Sequence, residues 1–550
     1  MELSSFENTY IDTRGFVDKR VSFNQAIIQG IASGGGLFVP KVLPHFSLEA
    51  LLDIAHEPYA AKAATIFEAF GVDLPATVIA ECMESAYGSQ ATRKGTTGTG
   101  ITGPGTTGSG TIGADSMNFD TPEVAPVKRL DSNTYILELF HGPTLAFKDL
   151  ALQCMPRFFS AAIEALRAKD WPEVADDFLI LVATSGDTGK AALEGFADRE
   201  HTNIIVYYPY GGVSDLQEAQ MLTSEGANVQ VYGLRGNFDD CQTAVKQVFN
   251  NQTLAREIAA GHRLRFSSAN SINWGRLMPQ IVYYVNAYTQ MVNSGAIQAG
   301  EAIDVCVPTG NFGNILAAYY AAQIGTPIEK LICASNTNRV LSDFINTGTY
   351  DISKRDFIVT PSPSMDILVS SNLERQLFEL CGRDAQRIRE WMRLLREEQR
   401  FTVDRETFAA LREDFCADWV SEDESLTTIR EVYENYAYLL DPHTSVAYKV
   451  AERVRGTNPV LITATSHWSK FSADVYRGLA GIKNKEPLPP AARGLDGFAL
   501  NRYIVEQYEH AGVVPARMAE LEGKKPRFNK VFDANPSAVE ASIKEFLRSF

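Results

Sequence analysis

The segment LELFHGPTLAFKDLALQ (137–153) places one lysine, Lys148, directly after Leu145, Ala146 and Phe147. A lysine pressed among apolar groups has its ammonium form disfavoured by desolvation, so its pKa falls and the neutral amine becomes available. Only that neutral amine attacks a carbonyl, so these residue types at this spacing suit a Schiff-base lysine. An arbitrary lysine at a helix start is more often a surface cation lying over its own apolar stem. Further segments downstream tip the balance toward chemistry.

The first is LVATSGDTGKAALEGF (181–196), where an apolar run ends at Ala183 and a helix pattern begins after Gly189. Hydroxyls and backbone N–H groups converge there on a helix N-terminus, which suits a carboxylate or a phosphate; an ordinary N-cap turn has the same composition. It is not a Walker A loop, because Gly186 and Gly189 are too close and Ala191 follows Lys190. The second is VCVPTGNFGNILAAYYA (305–321), whose two glycines permit close backbone approach to an anion and positive φ angles. Many turns between strand and helix carry glycine for geometry alone. In the third, LITATSHWSKF (461–471), Thr465, Ser466 and His467 follow a strand, and a hydroxyl could face a ring nitrogen or merely cap a helix.

Elements that would position these segments follow from residue 130 onward, where short apolar runs alternate with amphipathic stretches. Strands are expected at 134–140, 178–183, 203–208, 228–232, 303–307, 331–335 and 459–464. Helices fit at 150–168, 189–199, 214–225, 238–249, 274–293, 312–324 and 443–455; the first carries Leu152, Met155, Phe159, Ile163 and Leu166 at helical spacing. Such alternation predicts an α/β protein with parallel sheets covered on both faces. Ligands in such folds gather at the carboxyl ends of the strands, where the three turns fall. Four regions are expected: a mainly helical 1–92, a Gly/Thr-rich insert at 93–120, an α/β region at 121–484 and a C-terminal extension at 485–550, packed on the outside. Within the insert, Gly98, Gly100 and Gly103 spell GxGxxG, and Gly108, Gly110 and Gly113 repeat it. Neither copy has the strand before and helix after that a dinucleotide site needs, so a Rossmann assignment is rejected.

Composition narrows the function classes. With 45% hydrophobic and 21% charged residues in 550, the chain has the make-up of an ordinary globular protein with ample core. A net charge of −16 argues against a nucleic-acid surface, which needs clustered Lys and Arg. The seven cysteines are scattered and never form CxxC, and the eight histidines lack HExxH spacing, so no metal site is expected. No run of 18 apolar residues and no apolar leader is found, so a cytoplasmic protein without membrane contact is expected.

Taken together, HGPTLAFKD, ATSGDTG, SANSINWGR (268–276), GNFGN (310–314) and SPSMDI (362–367) resemble the signature segments of threonine synthases, pyridoxal-phosphate enzymes of the tryptophan synthase β (fold type II) group. The resemblance runs from Tyr10 and the GLFVP of Gly36–Pro40 to about residue 475; Trp468 and Ser469 depart from the family's usual Pro and Ala. It implies two parallel-sheet subdomains with pyridoxal phosphate between them, preceded by a helical N-terminal domain. Lys148 would carry the cofactor covalently, Gly310, Asn311, Phe312, Gly313 and Asn314 would hold its phosphate, and Thr465 would face its ring nitrogen. Ser185, Asp187 and Thr188 match the turn that handles the amino-acid end of the substrate. Asn270, Asn273 and Arg276 would donate to the phosphate of O-phospho-L-homoserine, a geometry the Arg fork suits. The implied reaction makes L-threonine and phosphate, in a monomer or homodimer. Alternatives are a related lyase or dehydratase on another amino acid, and a non-catalytic cofactor-binding homologue. Lys148→Ala is expected to abolish turnover by removing both covalent attachment and proton transfer; more than trace activity in a product assay would refute this.

Overall fold

A computed structural model describes residues 8–17, 19–88 and 118–548; the Gly/Thr repeat of 95–113 lies outside the described residues. Two sheets organise the chain. One runs, in spatial order, Phe415–Trp419, Ile328–Ser335, Ile303–Pro308, Val460–Ala464, Thr134–Glu138 and Val127–Arg129, parallel except for the last, antiparallel strand. The other is wholly parallel: Val531–Asp533, Val229–Arg235, Thr202–Pro209, Asp177–Ala183 and Leu264–Ser267. The expected α/β class with two parallel-sheet units is what the chain adopts.

The continuous apolar runs have a direct cause. In Asp177–Ala183, Phe178, Ile180 and Val182 point into one core, while Leu179 and Leu181 point into a second on the opposite face. Ile204 and Val206 divide from Ile205 and Tyr207 in the same way. Strands with period-two side chains and both faces covered must be apolar throughout. The first core also holds the apolar stripe of the Lys148–Arg167 helix and the N-terminal helices Phe23–Gln29, Tyr59–Ala69 and Ala76–Tyr87. Phe158 of the long helix meets Phe23 edge-on at 6.1 Å and Phe67 at 4.9 Å, which ties the helical N-terminal region to the helix that carries Lys148. Ser22 opens the first of these helices in a reciprocal cap with Gln25.

Several elements escaped the sequence. The short strands Leu264–Ser267 and Phe415–Trp419, and the helices between 385 and 436, lacked a strong apolar period. The C-terminal extension does more than lie on the outside: Val531–Asp533 adds an edge strand to the five-stranded sheet. The Pro536–Leu547 helix then buries Val539, Ile543, Phe546 and Leu547 over Leu179, Ile205 and Tyr232, and Ser542 Oγ meets Tyr207 Oη at 2.9 Å. Three half-polar residues give no legible strand pattern, yet that sheet face needs a cover. Ile543 is wholly buried, so Ile543→Ala is expected to destabilise by about 2–5 kcal/mol, read as a lower urea midpoint; an unchanged midpoint would show that this helix is not part of the folded core.

Candidate active site

Four of the motifs hang from carboxyl ends of strands. Thr134–Glu138 leads to the lysine segment, Asp177–Ala183 to the hydroxyl-rich turn, Ile303–Pro308 to the GNFGN turn and Val460–Ala464 to Thr465. The lysine turn is stitched to the last of these, because Phe147 N–H donates to the Thr465 carbonyl at 2.8 Å and Ala146 bridges Ser466. Leu145 is held at φ 59° in that turn, a left-handed conformation that a bulky residue adopts only when its surroundings fix it.

Lys148 begins its helix with only 9% of its side chain exposed. Its Nζ lies 3.0 Å from Ser364 Oγ and 3.4 Å from Asp187 Oδ2. Burial lowers its pKa, Asp187 opposes, and the nearby positive charges of Lys470 and Arg276 lower it further. The desolvation expected from Leu145-Ala-Phe is therefore present, and two cations reinforce it: Arg276, which the sequence marked, and Lys470, which it did not.

Asp187, from the same turn as Ser185 and Thr188, lies between the lysines. Its Oδ1 meets Lys470 Nζ at 2.7 Å and accepts from Gln217 Nε2 at 2.9 Å; its Oδ2 faces Lys148 and accepts from Ser466 Oγ at 3.3 Å. Burial would raise this carboxyl's pKa, but Lys470 and Lys148 hold it far below the usual carboxylate range. Both of its oxygens meet cations and donors of the protein itself. Ser185 and Thr188 stay half-buried at the start of the Asp187–Phe196 helix. Thr184 Oγ1 ties this turn by accepting from Gly186 N–H (3.0 Å) and Gly189 N–H (2.8 Å). Gly186 sits at φ 130°, and a Cβ there would stand 2.6 Å from the Gln217 side chain. Lys470, wholly buried, also donates to the Thr144 carbonyl at 2.8 Å. Asp149, the residue after Lys148 on the same helix, is pushed up to about 6 by burial, which outweighs its bonds to Thr144.

In the GNFGN turn, positive φ belongs to Phe312 (61°) and to neither glycine, which corrects one of the two roles expected of them. Close approach is the role that Gly310 does fill: a Cβ there would come within 2.3 Å of the Ser364 carbonyl oxygen. Ser370 Oγ donates to the Gly310 carbonyl (2.8 Å), and Asn372 Nδ2 to that of Asn311 (3.0 Å), so carbonyls are held outward and the N–H side of the turn stays open. Asn311 is exposed and Gly313 opens the next helix. Asn314 points into the fold, its Oδ1 accepting from Tyr283 and Tyr284 while its buried Nδ2 has no partner.

The SANSINWGR segment separates into three fates. Asn270 is exposed. Asn273 is spent on the fold: it caps Trp274–Asn293 by accepting from Gly275 N–H (2.9 Å) and donates to the Ile27 carbonyl (2.8 Å). That bond links the Phe23–Gln29 helix to the start of the helix that carries Arg276. Arg276 is buried and its pKa is lowered to about 10 by burial. Its Nη1 donates to the Ala269 carbonyl (2.8 Å), its wholly buried Nε has no partner, and no carboxylate pairs with it among the described residues.

Asp187 is shared by Lys148 and Lys470, and Arg276 is left without a carboxylate partner among the described residues. A buried guanidinium without a counter-ion is costly unless an anion completes it. A reactive amine, an open turn at a helix N-terminus, a hydroxyl at Thr465 and this unpaired guanidinium fit a phosphorylated aldehyde cofactor.

Comparison with known proteins agrees. Residues 120–413 match the pyridoxal-phosphate dependent enzyme family, and residues 9–87 match the family described as threonine synthase N terminus. The chain thus belongs to the pyridoxal-phosphate-dependent enzymes, and within them to the threonine synthase family, with pyridoxal phosphate as cofactor. Threonine synthase of Pseudomonas aeruginosa is 36% identical over 93% of this chain and 97% of its own. The crystal structure of pyridoxal-phosphate-bound threonine synthase from Brucella melitensis superposes with a TM-score of 0.79 at 34% identity, covering 98% of this chain and 99% of that one. Human threonine synthase-like 1 is 42% identical over 86% of this chain, which spans only 61% of that relative's length.

Lys470, Gln217 and Ser364 were missed as site residues. Lys470 and Ser364 lie inside quoted segments, but spacing does not tell which side of a turn a side chain takes. Gly310→Ala is expected to weaken pyridoxal phosphate binding about tenfold or more, since overpacking of this kind costs about 1–3 kcal/mol; cofactor titration by visible absorbance measures it, and wild-type affinity would contradict the close-approach role.

Proposed function

We propose that the protein is a threonine synthase, a lyase that converts O-phospho-L-homoserine and water to L-threonine and phosphate. The observation that carries this is Arg276: a buried guanidinium with an unpartnered Nε, on the same site as a desolvated lysine. The cofactor supplies an electron sink for charge developing at the substrate's Cα.

The chain's own groups do the rest. Lys148, as a neutral amine, takes the Cα proton and returns protons along the carbon chain as the phosphate leaves from Cγ and water adds at Cβ. Asp187 holds the ammonium form between those steps, and Lys470 keeps Asp187 ionised. Arg276 binds the substrate phosphate and stays with it as it departs. The N–H groups of the GNFGN turn, at the head of the Gly313–Gln323 helix, would hold the cofactor phosphate. Thr465 would offer its hydroxyl to the ring nitrogen, a partner that favours the unprotonated ring. Ser185 and Thr188 take the substrate carboxylate at a second helix start.

A related lyase or dehydratase that releases a 2-oxo acid and ammonia from a phosphorylated amino acid is the second candidate, since it needs the same desolvated lysine and phosphate-binding groups. Purified protein loaded with pyridoxal phosphate and given O-phosphohomoserine is expected to release phosphate and threonine in equal amounts. Phosphate with 2-oxobutanoate and ammonia would move the assignment to the second candidate, and no product from a protein that binds the cofactor would refute both.

A further inference from the structure

The SPSMDI segment has no part in the chemistry above, yet Ser364 supplies the nearer of the two hydrogen-bond partners of Lys148, at 3.0 Å against 3.4 Å for Asp187. The two partners are not equivalent. An ionised carboxylate only accepts hydrogen bonds, so Asp187 supports the ammonium form. A hydroxyl both donates and accepts, so Ser364 alone of the pair can give a hydrogen bond to the lone pair of the neutral amine. That neutral form is the one that attacks a carbonyl or takes a proton from carbon.

Ser364 is itself held from behind. Its backbone N–H donates to His443 Nε2 at 3.2 Å, and His443 Nδ1 meets Asp441 Oδ2 at 2.6 Å. Both His443 and Asp441 side chains are buried, at 1% and 0% exposure. Because Nε2 accepts, the ring proton resides on Nδ1 toward Asp441, which fixes one tautomer. Asp441 is anchored as the cap of the Pro442–Val454 helix, accepting from the N–H groups of His443 (3.0 Å) and Thr444 (3.1 Å). The Ser364 carbonyl, in turn, is the group against which Gly310 packs. One short segment therefore touches the amine, the cofactor-phosphate turn and a buried Asp–His pair.

We propose that Ser364 holds the neutral amine of Lys148, and that Asp441–His443 is a positioning pair that fixes Ser364 in place. This rests on Lys148 being the lysine that bonds pyridoxal phosphate. The charged groups facing that amine are Asp187 from its helix, Lys470 from the 468–471 turn and Arg276 from the Trp274–Asn293 helix; Asp149, next in the chain, bonds Thr144 instead. His443 and Asp441 reach it only through Ser364.

The test follows recapture of pyridoxal phosphate by protein first stripped of it, as visible absorbance between pH 6 and 9, with borohydride reduction and peptide mass locating the cofactor on Lys148. Losing the hydroxyl removes support for the neutral amine, so its apparent pKa rises. Ser364→Ala is expected to move the midpoint of the rate profile up by roughly half to one pH unit, the scale of one hydrogen bond. Ser364→Thr keeps the hydroxyl and the wild-type midpoint. His443→Ala shifts it the same way by less, and His443→Gln, whose amide oxygen can accept from Ser364 N–H, restores it. A Ser364→Ala profile that overlies the wild type, or a Ser364→Thr profile shifted equally far, overturns the proposal while leaving the function standing. A wild type that never captures the cofactor on Lys148 overturns both.

Discussion

Asp187 lies buried between two lysine amines, and the chemistry of the site depends on that arrangement. Asp187 is taken up by Lys148 and Lys470, so Arg276 is left without a counter-ion in a low-dielectric setting. Two consequences follow from the same imbalance. The neutral amine of Lys148 is favoured by burial and by its cationic neighbours, and phosphate-bearing molecules are favoured as the missing counter-ions.

The fold serves to bring these groups together from far apart in the chain. Lys148, Asp187, Arg276, Gly310, Ser364 and Lys470 come from six different connections along the chain, most of them at the carboxyl end of a strand or the start of a helix. Rigid helices behind them fix the angles: the lysine helix is clamped by the N-terminal aromatic packing, and Asn273 links the Arg276 helix to the carbonyl of Ile27. The N-terminal region is thus a structural support of the site although it contributes none of the groups named for its chemistry.

Legibility in the sequence followed physical scale. The parallel sheets were readable because strands such as Phe178–Val182 are buried on both faces and must be apolar throughout. Lys148 was readable because its neighbours are apolar, and Arg276 because a family pattern marked it. The direction of side chains was not readable: Asp187 meets Lys148, Lys470 and Gln217, and Asn273 meets Ile27, all on other elements, and spacing within a segment carries no sign of such partners. The left-handed Phe312 carries no signal, as the flanking glycines invite the assignment for themselves. Val531–Asp533 was hidden because an edge strand of three residues has no period to detect.

The central claim is that Arg276 waits, unpaired, for the phosphate of the substrate. Calorimetric binding of inorganic phosphate to the pyridoxal-phosphate-loaded protein tests this without turnover, by comparing the wild type with Arg276→Met. Removing a charged, bidentate donor is expected to weaken phosphate roughly tenfold to a hundredfold while the cofactor stays bound. Equal affinity in the two proteins would contradict the account and place the substrate phosphate elsewhere.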